Sequence, residues 1–280
     1  MRPARLNQQS RNDAIVAGFT MNVLLPAYTF LRAALAQKSL NIRGLPLIPK
    51  RLWRSAPHYR TGFNEFVHWI HSLGLERANW IVDAGANHGD FAQAASAVLP
   101  EANVLLIEPL PALHQELERR VAERPQRWQL ARCALGSVRG TAELHIDSRR
   151  DDIASLVGFG ADYRRVNASA VGSKVLMCEV RTLEDLCVER GITAIDLLKV
   201  DVEGFEFEVI EGAGELLART GAIVIELSLI RRADSEDAIE RMLHILRLAG
   251  FRLIAMHPSY YDPTNPWIPV EFNILARRAP

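Results

Sequence analysis

The chain has 280 residues, 49% of them hydrophobic and 24% charged, the make-up of an ordinary globular protein. Lysine plus arginine and aspartate plus glutamate number 33 each, so there is no global positive field to recruit nucleic acid or an anionic membrane. Cys133, Cys178 and Cys187 are too few and too scattered for a metal cluster or a disulfide framework, and a reducing cytoplasm is the expected compartment.

The first candidate element runs from Asp13 to Arg32 with no charge between them. Gly18, Thr20, Asn22 and Pro26 interrupt it, whereas a membrane span needs about 20 predominantly apolar residues. A docked helix is therefore expected rather than stable insertion. "LNIRGLPLIPKRLWRSAP" follows as an irregular connection rich in proline and arginine. Phe63, Phe66, Val67 and Ile70 then fall at i, i+3, i+4 and i+7, which predicts a helix with one apolar stripe. Residues 1–75 are read as a helical extension or lid, and 76–280 as the main domain.

From Trp80 strands and helices alternate. "WIVDAG" is a short buried strand, "DFAQAASAVL" a helix and "NVLLIEP" a second buried strand. "ALHQELERRVAE" is an amphipathic helix, "WQLARCAL" a strand, "TAELHI" an extra hairpin strand and "TLEDLCVERG" a helix. After them come the strand "AIDLLKVD", the helix "EFEVIEGAGELLAR", the strand "AIVIEL" and the helix "SEDAIERMLHILRLAG". Two strands, "FRLIAMH" and "EFNILARR", end the series. This alternation predicts a mostly parallel sheet covered on both faces.

The turn after the first strand, "VDAGANHGDF", sets Asp83, Gly85, Asn87 and Gly89 where the backbone must bend sharply and come close to a ligand. Its spacing is not the G-x-G-x-x-G of dinucleotide binders. At the tip of the next strand stands Glu108, placed to accept both hydroxyls of a ribose. This pair points to an adenosine-containing cofactor and by itself leaves S-adenosylmethionine and NAD both open. Further on, "LLKVDVEGFEFEV" crowds Asp201, Glu203, Glu206 and Glu208 behind an apolar run. Acidic residues in a first helical turn offset the helix dipole, and that is the reading for Glu206 and Glu208.

Together "VDAGANHGDF", "IEPLP", "CALGS", "RTLEDL", "IDLLKVDVEGFEFEVIEGA" and "IVIEL" resemble, in this order, the FkbM family of S-adenosylmethionine-dependent methyltransferases. The resemblance covers about residues 80–228, and "FNILARR" is similar as well. Two departures are Cys133, where relatives often carry Asn, and "ASL" at Ala154–Leu156 in place of a pair of serines. The resemblance implies a Rossmann-like class I methyltransferase fold, a seven-stranded, mostly parallel sheet whose last strand is antiparallel. It implies S-adenosyl-L-methionine with its methionine end over Gly85 to Gly89, its ribose on Glu108 and its adenine near Ala134, and Asp83 in the same cofactor set. The acceptor it implies is a hydroxyl of a sugar, polyketide or related metabolite. An NAD-type oxidoreductase and a catalytically inactive methyltransferase-like binding protein are the alternatives.

Ligands of open α/β sheets bind beyond the carboxyl ends of the strands, so Asp83, Glu108, Asp201, Glu226 and His257 are expected on one rim. An alcohol attacks a sulfonium methyl only once its proton is accepted by a base within about 3 Å. Asp201 is the first choice for that base or for an acceptor-orienting group, with Glu203 second. Lys199 projects to the same side as Asp201 because strand side chains alternate, and it is read as the ion-pair partner. Magnesium on Asp201 and Glu226 is the less favoured alternative. "PSYYDPTNPWIPVE" is read as a loop leaving the rim, and residues 147–172 as part of a lid. Oligomeric state is not legible in this sequence.

Overall fold

The structure is a computed structural model, and it describes residues 60–147, 153–158, 163–164, 173–230, 238–262 and 264–279. The apolar segment between Asp13 and Arg32 lies outside the described residues. Among the described residues no helix is long and apolar enough to cross a membrane.

The helices are α1 (Arg60–Ser72), α2 (Asp90–Val98), α3 (Pro111–Ala122), α4 (Leu183–Glu189), α5 (Glu206–Glu211) and α6 (Ala238–Leu248). Seven strands form the main sheet: β1 (Trp80–Ala84), β2 (Asn103–Ile107), β3 (Trp128–Ala131), β8 (Ile195–Val200), β9 (Thr220–Ser228), β10 (Phe251–Asp262) and β11 (Asn265–Arg278). Their order is β10-β11-β9-β8-β1-β2-β3. β1, β2, β3, β8 and β9 pair in parallel, and β11 runs antiparallel between β9 and β10. This is the sheet the class I methyltransferase resemblance implies, with its antiparallel last strand.

The runs "WIVDA", "NVLLI" and "IDLLKV" are apolar at consecutive positions because both faces of the sheet are covered. Ile81, Leu106, Leu197 and Val224 pack on one face against α1, α2 and α3. Val82, Leu105, Leu198 and Ile223 pack on the other against α4, α5 and α6. Of the expected α1 stripe, Ile70 lies in the buried cluster with Ile81 and Val104 and Phe66 packs against it, Val67 is buried, and Trp69 and Leu73 join the cluster from outside the stripe.

Four elements differ from the sequence expectation. "WQLARCAL" is two strands, β3 at the edge of the main sheet and β4 (Ala134–Leu135) in a second one. That second sheet has the order β4-β7-β5-β6, with β5 (Gly140–Asp147), β6 (Ala154–Ser155) and β7 (Ser173–Arg181). β5 is the extra hairpin strand, and its antiparallel partner β7 has no clean period of two because Val175, Leu176 and Met177 are all exposed. The helix expected over 206–219 stops at Glu211; Gly214 takes φ +50°, and the chain resumes as a 3-10 helix over Gly214–Arg219. Finally, "PSYYDPTNPWIPVE" is no loop. β10 continues to Asp262 and β11 begins at Asn265, so the segment is the far end of a long hairpin with Trp267 exposed.

Candidate functional site

The parallel strands deliver their carboxyl ends to one edge. One position past the paired Ala84, Val200 and Ile225 stand Gly85, Asp201 and Glu226, and one past Ile107 stands Glu108. An open cleft of about 630 Å³ lies there, with Gly85, Asn87, Glu108, Ala134, Asp201 and Glu203 on its wall. Six of the nine residues expected to bind the cofactor or to carry catalysis therefore line a single cavity, although they come from four separate stretches of chain; Asp83, Gly89 and Lys199 are not on its wall.

The turn between β1 and α2 is built for close approach. Gly85 has φ +75°, and a Cβ placed on it would stand 1.8 Å from the Asp201 carbonyl oxygen. Asn87 is also left-handed, at φ 49°, and its side-chain oxygen accepts the His88 N–H at 2.7 Å, a local bond that favours this conformation in Asn. His88 Nδ1 in turn contacts Glu116 Oε2 of α3 at 2.7 Å, tying the turn to its neighbour. Gly89, at φ +77°, caps α2 and packs against Leu117 and Arg120; it is not on the cleft wall.

Glu108 is buried and receives two backbone N–H groups, from Asn87 at 2.8 Å and from Leu110 at 2.9 Å. Burial pushes its carboxyl up to about 7, and the two N–H groups and the Lys199 ammonium offset only part of that rise. Each carboxylate oxygen keeps a second acceptor site for a ligand hydroxyl. Apolar Ile107, Ala134 and Leu135 sit beside it on the same wall. A glycine with no room for a Cβ, an acceptor carboxylate and an adjoining apolar slot together fit an adenosine-containing cofactor.

Asp83 departs from its expected place. It is completely buried and does not line the cleft. One oxygen accepts the Ala92 N–H of α2 at 3.2 Å, and the other lies 3.5 Å from Lys199 Nζ. Its carboxyl is raised by burial, with Lys199 acting in the opposite direction. Asp83 thus supports the turn from beneath. His257 departs as well: it pairs with Asn273 in mid-strand, stacks near Trp69 at 6.2 Å between centroids, and is overrun by the hairpin, so it is not a strand tip.

Lys199 is the central cation. Its ammonium lies 3.2 Å from Asp201 and donates to the Gly85 carbonyl at 2.9 Å. Burial works against the charge, but Asp201 and Asp83 outweigh it and hold the ammonium above its ordinary value. One side chain thereby joins the turn of β1 to the carboxylate at the tip of β8. The link to Gly85 has no signature in residue spacing.

Asp201 and Glu203 are on the cleft wall, and Glu206 is not among them. Buried Glu206 closes the turn before α5, accepting N–H groups from Val202 at 3.3 Å and Gly204 at 2.9 Å. The acids of this segment are therefore divided, with Asp201 and Glu203 on the cleft and Glu206 closing the turn through these two N–H groups rather than only offsetting the helix dipole. Asp201, Glu203 and Glu226 each offer an oxygen within 4.8 Å of the others, and Glu226 also accepts from Asn273 Nδ2 at 3.3 Å. Such all-oxygen donors suit a hard divalent cation, although Lys199 already supplies compensating charge.

Comparison with known proteins gives one consistent answer. The methyltransferase FkbM domain model matches residues 83–253. The chain is 26% identical over 228 residues to the 31-O-demethyl-FK506 methyltransferase FkbM of Streptomyces tacrolimicus, covering 74% of this chain and 85% of that protein. It is 26% identical over 183 residues to the 2-O-methyltransferase NoeI of Sinorhizobium fredii, covering 64% of this chain and 74% of that protein. Methyltransferase sdnD of Sordaria araneosa is 31% identical over 159 residues, 49% of this chain and 61% of that one.

Proposed function

This chain belongs to the FkbM family of methyltransferases, and we propose that it transfers the methyl group of S-adenosylmethionine to a hydroxyl of a sugar, polyketide or related small molecule or glycan. The observation that carries the reading is the shared cleft, which holds the Gly85–Asn87 turn and Glu108 on one side and Asp201 with Glu203 on the other. Two relatives whose names specify O-methylation support the oxygen acceptor. Nothing in the site favours the nicotinamide alternative, and family membership replaces it.

Bound S-adenosylmethionine would supply an electrophilic methyl on a sulfonium. Gly85 and Asn87 would hold its methionine end, Glu108 would accept from its ribose hydroxyls, and Ala134 would border the adenine. Asp201 would accept the proton of the acceptor hydroxyl, or a hydrogen bond from it, which turns a poor nucleophile into a competent one. Lys199 supplies Asp201 with a counter-charge at 3.2 Å and fixes its direction. Glu203 is the second candidate for this role. The rest of the rate enhancement would come from alignment, since methyl transfer is an in-line displacement that gains from positioning. A divalent cation on Asp201, Glu203 and Glu226 is the less favoured variant, supported by the mutual reach of their oxygens.

The experiment is calorimetry with S-adenosylhomocysteine, followed by methyl transfer from labelled S-adenosylmethionine to a panel of hydroxyl acceptors. Micromolar or tighter binding is expected, and no detectable binding would overturn the reading. Glu108→Gln should weaken it by roughly 1.5–3 kcal/mol, the value of a charge-assisted hydrogen bond.

A pH dependence follows from the same carboxylate. Glu108 sits at about 7 rather than 4.5, so its favourable contribution to folding is present below 4.5 and lost as pH rises through about 7. Cofactor hydroxyls require the ionised form, so affinity should move the opposite way. Affinity for S-adenosylhomocysteine should fall as pH drops below about 7, approaching tenfold per pH unit. The Glu108→Gln variant should be flat across that window; an equally steep profile in the variant would assign the dependence to another group.

A further inference from the structure

Glu203 is one of two non-glycine residues with positive φ among the described residues, at 60°. A non-glycine side chain in the left-handed region costs free energy and persists only where the surroundings over-determine it. Two restraints act on this turn. From the helix side, Glu206 binds the Val202 and Gly204 N–H groups. From the opposite side, Ser155 Oγ donates to the Glu203 carbonyl oxygen at 2.6 Å while accepting the Val157 N–H at 3.2 Å.

Ser155 is buried, at 1% exposure, and lies in β6 of the second sheet, paired with His145 of β5. Its sequence neighbours Ala154 and Leu156 line the cleft together with Asp201, Val202 and Glu203. The hydroxyl is thus a direct bond from the small sheet to the turn that presents the proposed base. It fixes one cleft wall against another.

We infer that Ser155 is a positioning residue, whose hydroxyl latches β6 onto the left-handed peptide of Glu203 and so sets the width of the cleft and the aim of Asp201 and Glu203. The inference rests on the methyltransferase reading for its consequence in catalysis, and on geometry alone for the latch. Its removal leaves the Glu203 carbonyl without this donor, and two short segments lose their shared fixed point.

The test compares wild type, Ser155→Ala and Ser155→Thr, with S-adenosylhomocysteine as the binding probe and amide hydrogen exchange as the structural readout. In Ser155→Ala, exchange should quicken in peptides spanning 153–158 and 201–205 and stay at wild-type rates in β1, β8 and β9. Its affinity for the probe should fall about fivefold to tenfold, the scale of one hydrogen bond. Ser155→Thr, which keeps the hydroxyl, should restore both. Unchanged exchange in 201–205 would overturn the latch, as would a loss that the threonine variant shares in full. If the alanine variant lacks the wild-type near-ultraviolet circular dichroism, Ser155→Cys replaces it, since a thiol fills the volume with only a weak donor. Wild type that fails to bind the probe would overturn the methyltransferase reading, while the exchange comparison would still decide the latch.

Discussion

Gly85→Ala is expected to abolish binding of S-adenosylhomocysteine and to destabilise the fold. The added Cβ would sit 1.8 Å from the carbonyl oxygen of Asp201 and 2.8 Å from its carbonyl carbon, both backbone atoms that cannot rotate away. Holding an alanine at φ +75° adds about 1–2 kcal/mol, and forcing a methyl into a filled space typically adds about 1–3 kcal/mol. Relief requires parting the end of β1 from the end of β8, and this would break the Lys199 bond to the Gly85 carbonyl. The loss should exceed about 3 kcal/mol, and at roughly 2–4 °C per kcal/mol for a domain of this size Tm should fall by about 6 °C or more. Calorimetry and thermal denaturation of the same preparation check it. A variant with wild-type Tm and wild-type affinity would mean that Gly85 is not the contact between the two strand ends.

That contact marks the boundary of what sequence conveys. "DAGANHG" announces a tight turn, because two glycines and an asparagine in seven residues serve little else between a buried strand and a helix. Which backbone the turn touches is a tertiary fact: Asp201 is more than a hundred residues away. The same holds for Asp83. An aspartate at the end of an apolar strand can be a rim ligand or a buried strut, and only the Ala92 and Lys199 contacts show it to be a strut. Lys199 and Asp201 were legible as a pair because alternation along a strand places them on one side.

The elements that escaped sequence reading have their own physical reasons. β4 and β6 are two residues long, too short to carry any period. β7 is apolar on exposed positions, so it shows no alternation to distinguish it from loop. Proline masked the hairpin. Pro258 is tolerated because β10 is the sheet edge, and Pro269 precedes the point at which β11 begins to pair with β9, at Glu271. Edge strands and irregular pairings are where a strand tolerates a missing N–H, and the β10–β11 register shifts next to both residues. The Ser155–Glu203 bond spans 48 residues and joins a side chain to a backbone oxygen, which no spacing rule encodes.

Asp201→Asn is the variant expected to separate chemistry from binding. The cofactor would be held by Gly85, Asn87 and Glu108, so affinity for S-adenosylhomocysteine should stay within about twofold, a difference below 0.5 kcal/mol. Turnover with an acceptor that supports wild-type activity should fall by about 10²–10⁴, the usual loss when a general base is removed. Stability should change little, because Lys199 keeps Asp83 at 3.5 Å and the Gly85 carbonyl at 2.9 Å. A role in capping α5 predicts a fully active variant, since Asn caps about as well as Asp. The geometry argues against that role: Glu206, not Asp201, takes the Val202 and Gly204 N–H groups. A cation on Asp201, Glu203 and Glu226 predicts a third pattern, in which chelator abolishes wild-type turnover and added magnesium restores it. Glu203→Gln then distinguishes the two carboxylates of the cleft. If Asp201 is the base, that variant keeps most of its turnover. If the Glu203 variant is the inactive one and Asp201→Asn is active, the proton acceptor stands on the left-handed turn rather than at the strand tip.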